Sequence, residues 1–483
     1  MRNFSFICLI LIHFSSVFAQ IEDISDSYEL FRNKAITNYN SFRAKANHEY
    51  AEWMKRAWEQ YRALPIIRQP KDKDTPPIFY NRDEAIKGRA INADIHPLPR
   101  IAPQPLPIQP IKENPNPHTT HCRFDFYGLE CCIRFDGNQP LDLSSISNEN
   151  IASQWNMLAN GALDNTIRDC IEFRISHNLC DWAFIQFLDK FAKSAVKGKS
   201  ESNLLTAFLL CQIGYKIRLA KSDDTLYFLY ASPHHLYDIP TFIIDNTYFY
   251  GYNCHDTHLD VFNYNFPNEQ IISFWIPHEQ EFGIKASTKR EILSKRFPDM
   301  RITVNVNENI IDFFESYPKS YIDNNFMTRW AMYANTPLSQ NIKDSVYPQL
   351  YNCIRGLGQL DAANKLLNLV QTGFTYEFDD KIWGHDRAFF AEETLFYPYC
   401  DCEDRSILYS RLVRDLLGLE VLLVYYPGHL ATAVRFTDRV EGDYILYDNK
   451  PFVIADPTYI GAPIGATMPE MENKTAKVIL LSQ

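Results

Sequence analysis

Apolar spacing changes several times along this chain of 483 residues. From about Ser27 to Leu64 there is no Gly or Pro, and Tyr50, Met54, Trp58 and Tyr61 recur every three or four positions. That period predicts one long helix with an apolar stripe, set within residues 20–64. Residues 65–120 are broken by prolines, most densely in IHPLPRIAPQPLPIQPIKENPNP. They carry too few apolar side chains for a core and predict an extended tether lying on the surface or bridging domains. Two aromatic-rich globular regions follow, at 121–298 and 299–483. In the second, Asp401 reads as an N-cap, Leu408, Leu412, Val413, Leu416 and Leu417 as one buried helix face, and Gly418 as the stop. Val421 to Tyr426 predicts a strand, Pro427-Gly428 a turn, His429 to Phe436 a second strand and Phe452 to Asp456 another. An α+β fold is expected.

Composition narrows the class. Hydrophobic residues make up 46% of the chain, ample for packed domains, and its length calls for two or three of them. With 48 basic against 59 acidic residues the net charge is −11, and no Lys/Arg block interleaves with aromatics, so no nucleic-acid partner is expected. Residues 1–19 combine Arg2, an apolar run from Phe4 to Phe14 and a small-residue end at Ala19, the pattern of a secretory signal peptide. No later stretch is apolar enough to span a membrane. A periplasmic or extracellular location follows as the expectation. Cys122, Cys131, Cys132, Cys170, Cys180, Cys211 and Cys254 cluster mid-chain and read either as bridged pairs or as buried thiols.

The chemistry concentrates near the C-terminus. Cys402 falls in the first turn of the predicted helix, where unpaired N–H groups and the helix dipole favour thiolate. His429 is placed to pair with it as base, and Asp456 to hold the imidazole in the useful tautomer. Glu403 and Asp404 oppose the thiolate, so they are expected to face solvent, Arg405 or a substrate amine. The Cys402 backbone N–H is the first oxyanion donor expected, with Gln371 and Tyr376 as candidates for the second. Cys400, Cys402 and His429 could instead hold a metal, but C-x-C lacks the two-residue spacer common in zinc loops, so neither metal nor cofactor is expected.

Glu393-Thr-Leu, CDCEDRS, Gly428-His429 and Ala455-Asp-Pro-Thr-Tyr459 together resemble the transglutaminase-like superfamily, as an exported bacterial-type member, over about residues 360–465. The resemblance implies a papain-type arrangement, a cysteine at a helix N-terminus packed on an antiparallel sheet. The nucleophile falls on Cys402, the base on His429 and the orienting carboxylate on Asp456. Cys400 and Tyr399 stand where such domains often carry glycine, and Leu430 where an aromatic is usual. For Asp456 to reach His429, their strands must be antiparallel neighbours with Tyr444 to Tyr447 as an excursion.

Shifting the segment by 204 residues lays Gly198 to Leu226 over Cys402 to Leu430, with identities at Ser202, Leu204, Gly214, Leu219 and Leu226. Phe242 to Tyr248 then resembles Phe452 to Tyr459, making Asp245 the one surviving site residue beside Gly198 and Thr225. Two readings stay open: a degenerate second module over 121–298, or the agreement any helix and strand would give. His234 and His235 read as surface residues. The leading expectation is an exported thiol enzyme acting on a peptide or protein amide, hydrolase before transferase. The alternative is a binding or scaffold protein of the cell envelope. An open cleft with sulfur facing imidazole favours the enzyme; a buried sulfur favours binding. Oligomeric state is not legible.

Overall fold

The computed structural model describes residues 34, 37–69, 75–81, 86–97, 119–136, 140–469, 471 and 475–482. The expected signal peptide lies outside them. Among them no helix is long and apolar enough to cross a membrane. The fold is mixed α and β.

Helix α1 spans residues 37–54, and Tyr50 and Met54 are buried as the stripe requires. The helix does not continue to Leu64. The indole N–H of Trp58 donates to the Met54 carbonyl at 2.5 Å, and the chain turns into strand β1 (Trp58–Arg62). An aromatic-rich stretch beside an open sheet edge gains more from pairing than from another helical turn. Further on, the tether contributes β2 (Ala90–Ile91) and β3 (Asp94–His96).

The first globular region opens with a hairpin, β4 (His121–Phe126) and β5 (Leu129–Arg134). Helices α2 (Asn148–Leu158), α3 (Asp164–Ser176), α4 (Asp181–Ala195) and α5 (Lys199–Ile213) follow. Strands β6 (Ile217–Ser222), β7 (Thr225–Ala231), β8 (His235–Leu236), β9 (Thr241–Ile244), β10 (Thr247–Gly251) and β11 (His258–Phe262) complete it. The second region also opens with a hairpin, β12 (Arg290–Leu293) and β13 (Arg301–Val304), so the boundary expected at 298 falls inside a hairpin loop. Pro298 marks that loop and not a linker. Then come α6 (Glu308–Glu315), β14 (Ser320–Tyr321), α7 (Thr328–Asn335), α8 (Gln340–Ile354) and α9 (Gln359–Gly373). The site region holds β15 (Thr375–Tyr376), α10 (Asp379–Ile382), α11 (Ala391–Phe396), β16 (Tyr399–Cys400) and α12 (Cys402–Leu417). Strands β17 (Val421–Tyr426), β18 (His429–Val434), β19 (Tyr444–Tyr447), β20 (Lys450–Ala455) and β21 (Lys477–Ile479) end the chain.

The two main sheets have matching orders, β9-β10-β7-β6-β11-β1 and β2-β19-β20-β18-β17-β21-β3. In each, a helix ending on a left-handed glycine (Gly214, Gly418) feeds a two-strand hairpin, and the next hairpin turns on Asp-Asn with positive φ. Those turns are Asp245-Asn246 and Asp448-Asn449. The match corrects the register expected from sequence. Asp245 corresponds to Asp448 at a hairpin tip, and the position equivalent to Asp456 is Asn253, exposed with φ +49°. At the cysteine position Gly198 has φ +96°, and a Cβ there would meet the Glu201 carboxylate at 2.0 Å. A cysteine at this position would have to adopt a left-handed backbone and displace the Glu201 side chain.

Both sheets curl. In a flat seven-stranded sheet β2 and β3 would lie about 29 Å apart at ~4.8 Å per strand. Yet Ile91 and Asp94 are joined by a link that reaches about 11 Å at most. The second sheet is therefore rolled until its edges meet, with residues 90–96 closing the seam. In the first sheet β1 pairs with β11 at one edge and Leu64 bridges Thr241, in β9, at the other. Alternate side chains fill each lumen: Ala220, Leu229, Phe242, Phe249 and Val261 in the first, Leu422, Val424, Ala433, Ile454 and Val478 in the second. The opposite faces join the helices in one continuous core. His234 and His235 are buried and not on the surface, because β14 pairs with β8 and covers them. His234 meets Ser320 Oγ at 3.2 Å, and burial pushes its pKa down to about 3. All ten described cysteines are free thiols, so no bridge forms among them and none joins Cys400 to Cys402.

Candidate active site

Cys402 is the first residue of α12, as the cap and periodicity predict. Asp401 precedes it in extended conformation, its N–H donating to Asp404 Oδ2 at 3.2 Å to close a reciprocal capping box. Ser406 Oγ donates to the Leu430 carbonyl at 2.8 Å, which presses the start of β18 against the first turns of α12. The Leu430 N–H in turn points at the Cys402 sulfur. The nucleophile candidate thus touches the residue next to His429.

His429 opens β18 after the Pro427-Gly428 turn, where Gly428 has φ +76°. Strand β20 runs antiparallel beside β18, pairing Thr432 with Ala455, and β19 lies outside it. The condition set by the sequence is met, and His429 Nε2 lies 2.9 Å from Asp456 Oδ2. A carboxylate only accepts, so Nε2 carries the proton and Nδ1 keeps a lone pair. Nδ1 is buried and has no hydrogen-bond partner. Asp456 is itself fixed, since its Oδ1 accepts the N–H groups of Thr458 (2.8 Å) and Tyr459 (3.2 Å).

Cys402 is 3% exposed, and its sulfur does not hydrogen-bond to His429. It donates to Glu403 Oε2 at 3.2 Å. Burial first, and then the Glu403 and Asp401 carboxylates, push the thiol well above its usual pKa, with the Leu430 N–H the opposing contact. Glu403 and Asp404 do not face solvent as expected; both are buried. Asp404 Oδ1 accepts the Phe389 N–H at 2.7 Å, and Glu403 lies 3.8 Å from Arg329. Arg405 is turned away from both, donating to the carbonyls of Gln371 and Phe374 and to Cys400 Sγ.

Gln371 does not suit the oxyanion role. Its amide nitrogen donates to the carbonyls of Asp456 (3.0 Å), Tyr459 (2.8 Å) and Ala462 (3.1 Å), leaving no N–H for a substrate. It clamps the loop that presents Asp456. Tyr376 sits across from Cys400 in the β15–β16 pair, and its hydroxyl donates to the Thr75 carbonyl at 3.1 Å. Arg329 and Asp386 escape sequence reasoning, because their link to Glu403 spans dozens of residues and no local pattern marks it. Asp379, Asp386 and Glu403 bring carboxylate oxygens within 4.8 Å of one another, and Arg329 pairs with two of them, Asp386 and Glu403.

No family model, curated protein or solved structure matches the chain.

Proposed function

We propose that the chain is a transglutaminase-like thiol enzyme of the acyl-transfer class, exported from the cell, with a peptide or protein amide as substrate. The supporting observation is a buried His429–Asp456 pair with an unpartnered Nδ1, on a strand whose next residue, Leu430, bonds the Cys402 sulfur at the start of α12. In this reading a side-chain rotation turns the sulfur from Glu403 to Nδ1, which takes its proton. The thiolate adds to the amide carbonyl, forming a C–S bond. Collapse breaks the C–N bond, and the Nδ1 proton leaves with the amine. Water, activated by the same nitrogen, cleaves the thioester and restores the thiol. First-turn N–H groups of α12 stabilise the oxyanion. Hydrolysis is preferred to transfer because water outnumbers amines unless a site excludes it.

A second reading, a binding or scaffold protein, is favoured by the buried sulfur and by the upstream module, which has Gly198 and Thr225 where the second has Cys402 and His429. A peptide electrophile that acylates thiols tests the first. Cys402→Ala should abolish the fast phase of labelling, leaving the slow reaction of exposed thiols such as Cys132, while thermal unfolding stays as in wild type; an unchanged fast phase in the variant sinks the enzyme and leaves the binding reading.

A further inference from the structure

Gln69 and residues 75–80 of the proline-rich segment bond to residues around the candidate site. Gln69 Nε2 donates to Asp386 Oδ2, and Asp386 shares Arg329 with Glu403, the neighbour of Cys402. The Thr75 N–H donates to the Gly428 carbonyl at 2.9 Å, one residue before the base. The Thr75 carbonyl accepts the hydroxyl of Tyr376, which pairs with Cys400 two residues before the nucleophile. Further along, the Ile460 N–H donates to the Ile78 carbonyl at 2.8 Å and the Tyr80 N–H to the Ile460 carbonyl at 3.0 Å. Ile460 lies four residues beyond Asp456. One short extended stretch is therefore bonded to Gly428 just before the imidazole, to Ile460 just beyond the carboxylate, and to Tyr376, the strand partner of Cys400.

Its chemistry suits that path. Pro76 and Pro77 need no acceptors between the anchored Thr75 and Ile78. Ile78 and Tyr80 pack on the second barrel, Tyr80 edge-on to Tyr459 at 5.4 Å, while Phe79 between them is 77% exposed. Alternation of this kind, with main-chain bonds to one neighbouring residue, is how a sheet-type groove takes a peptide.

We propose that residues 75–80 fill the subsite of an external extended polypeptide, so that the chain holds its own thiol site closed and its ligand is a peptide strand able to make the same main-chain bonds. The catalytic meaning rests on the function proposed above; the occupancy does not. Since residues 58–64 and 90–96 are built into the two barrels, the occupant can lift but not diffuse away, and competes at high effective concentration.

The test uses the full chain. Thr75→Pro removes the N–H that bonds Gly428, a loss that should open the segment about fivefold more often. The rate of Cys402 alkylation by iodoacetamide, read by peptide mass mapping, should rise by that factor, and a synthetic peptide of residues 75–81 should lower it again. Tyr80→Ala provides a second route if the first variant unfolds. Wild-type labelling rates in both folded variants, or a peptide no better than its scrambled form, would overturn the proposal. Faster labelling suppressed by peptide, with no amide cleaved, would keep the strap and discard the enzyme. Amide turnover by wild type with unchanged labelling in the variants would do the reverse.

Discussion

At the scale of single residues the site is defined by what opposes the thiolate. Burial and the Glu403 and Asp401 carboxylates hold the Cys402 thiol protonated, while the Leu430 N–H pulls weakly the other way. Alkylation of Cys402 should therefore keep rising beyond pH 9 in wild type, with no plateau near neutrality. Glu403→Gln removes the negative charge 3.2 Å from sulfur and should speed the reaction at pH 7.5; an unchanged or slower rate would remove Glu403 as the cause. Asp456→Asn tests the imidazole. The Asn amide would face Nε2 as a donor, moving the ring proton to Nδ1 and taking away the base. The rate constant for amide cleavage should fall about a hundredfold or more with KM nearly unchanged. Cys402, His429 and Asp456 were legible because cap, turn and strand signals surround each in sequence. Gln371 was legible only as a nearby amide, since all three carbonyls it holds lie on a loop far along the chain.

The α12–β17–β18 unit is the part whose elements the sequence marks nearly to the residue. Asp401, Gly418 and Pro427-Gly428 each satisfy a local backbone demand independent of the rest of the fold. Failures of expectation occur where partners are remote. Trp58 to Arg62 continues a helical period yet becomes a strand because β11 offers an edge. The acids of the first turn were expected to face solvent, Arg405 or a substrate amine, but both are buried, Asp404 on the Phe389 N–H and Glu403 near Arg329. Helix α11 carries a measurable consequence. Burial pushes Glu392 up to about 7, against the Ser339 N–H and hydroxyl that bind it. Its folded pKa exceeds the unfolded value, so its contribution to stability is complete below about pH 4.5 and is lost as pH rises through 7. Glu392→Gln should gain stability relative to wild type between about pH 5 and 7.5, by at most about 3 kcal/mol, and then stay level. Comparing melting curves pH by pH isolates this from His234, whose depressed pKa acts with the opposite sign. A pH-independent difference between the two proteins would refute the assignment.

Over the whole molecule, two helix-and-sheet regions share the strand order of their main sheets, and only the second carries the Cys402, His429 and Asp456 set. Five identities in the shifted alignment hinted at this, but the correct register was hidden because Asp-Asn hairpin turns and carboxylates that orient a histidine look alike in a bare sequence. The closure of both sheets was not legible at all, since β1 continues a helical period and β2 and β3 are too short to be marked as strands. That closure has a consequence for biogenesis. Asp94–His96 emerges from the ribosome long before its partner Lys477–Ile479. Until β21 is made, the second barrel has an unpaired seam and its apolar lumen is open to other chains. Closure thus waits on contacts of very long sequence separation that form late. A nascent chain stalled before β21 would leave β17 with a bare edge, the kind of template that recruits neighbours into aggregates.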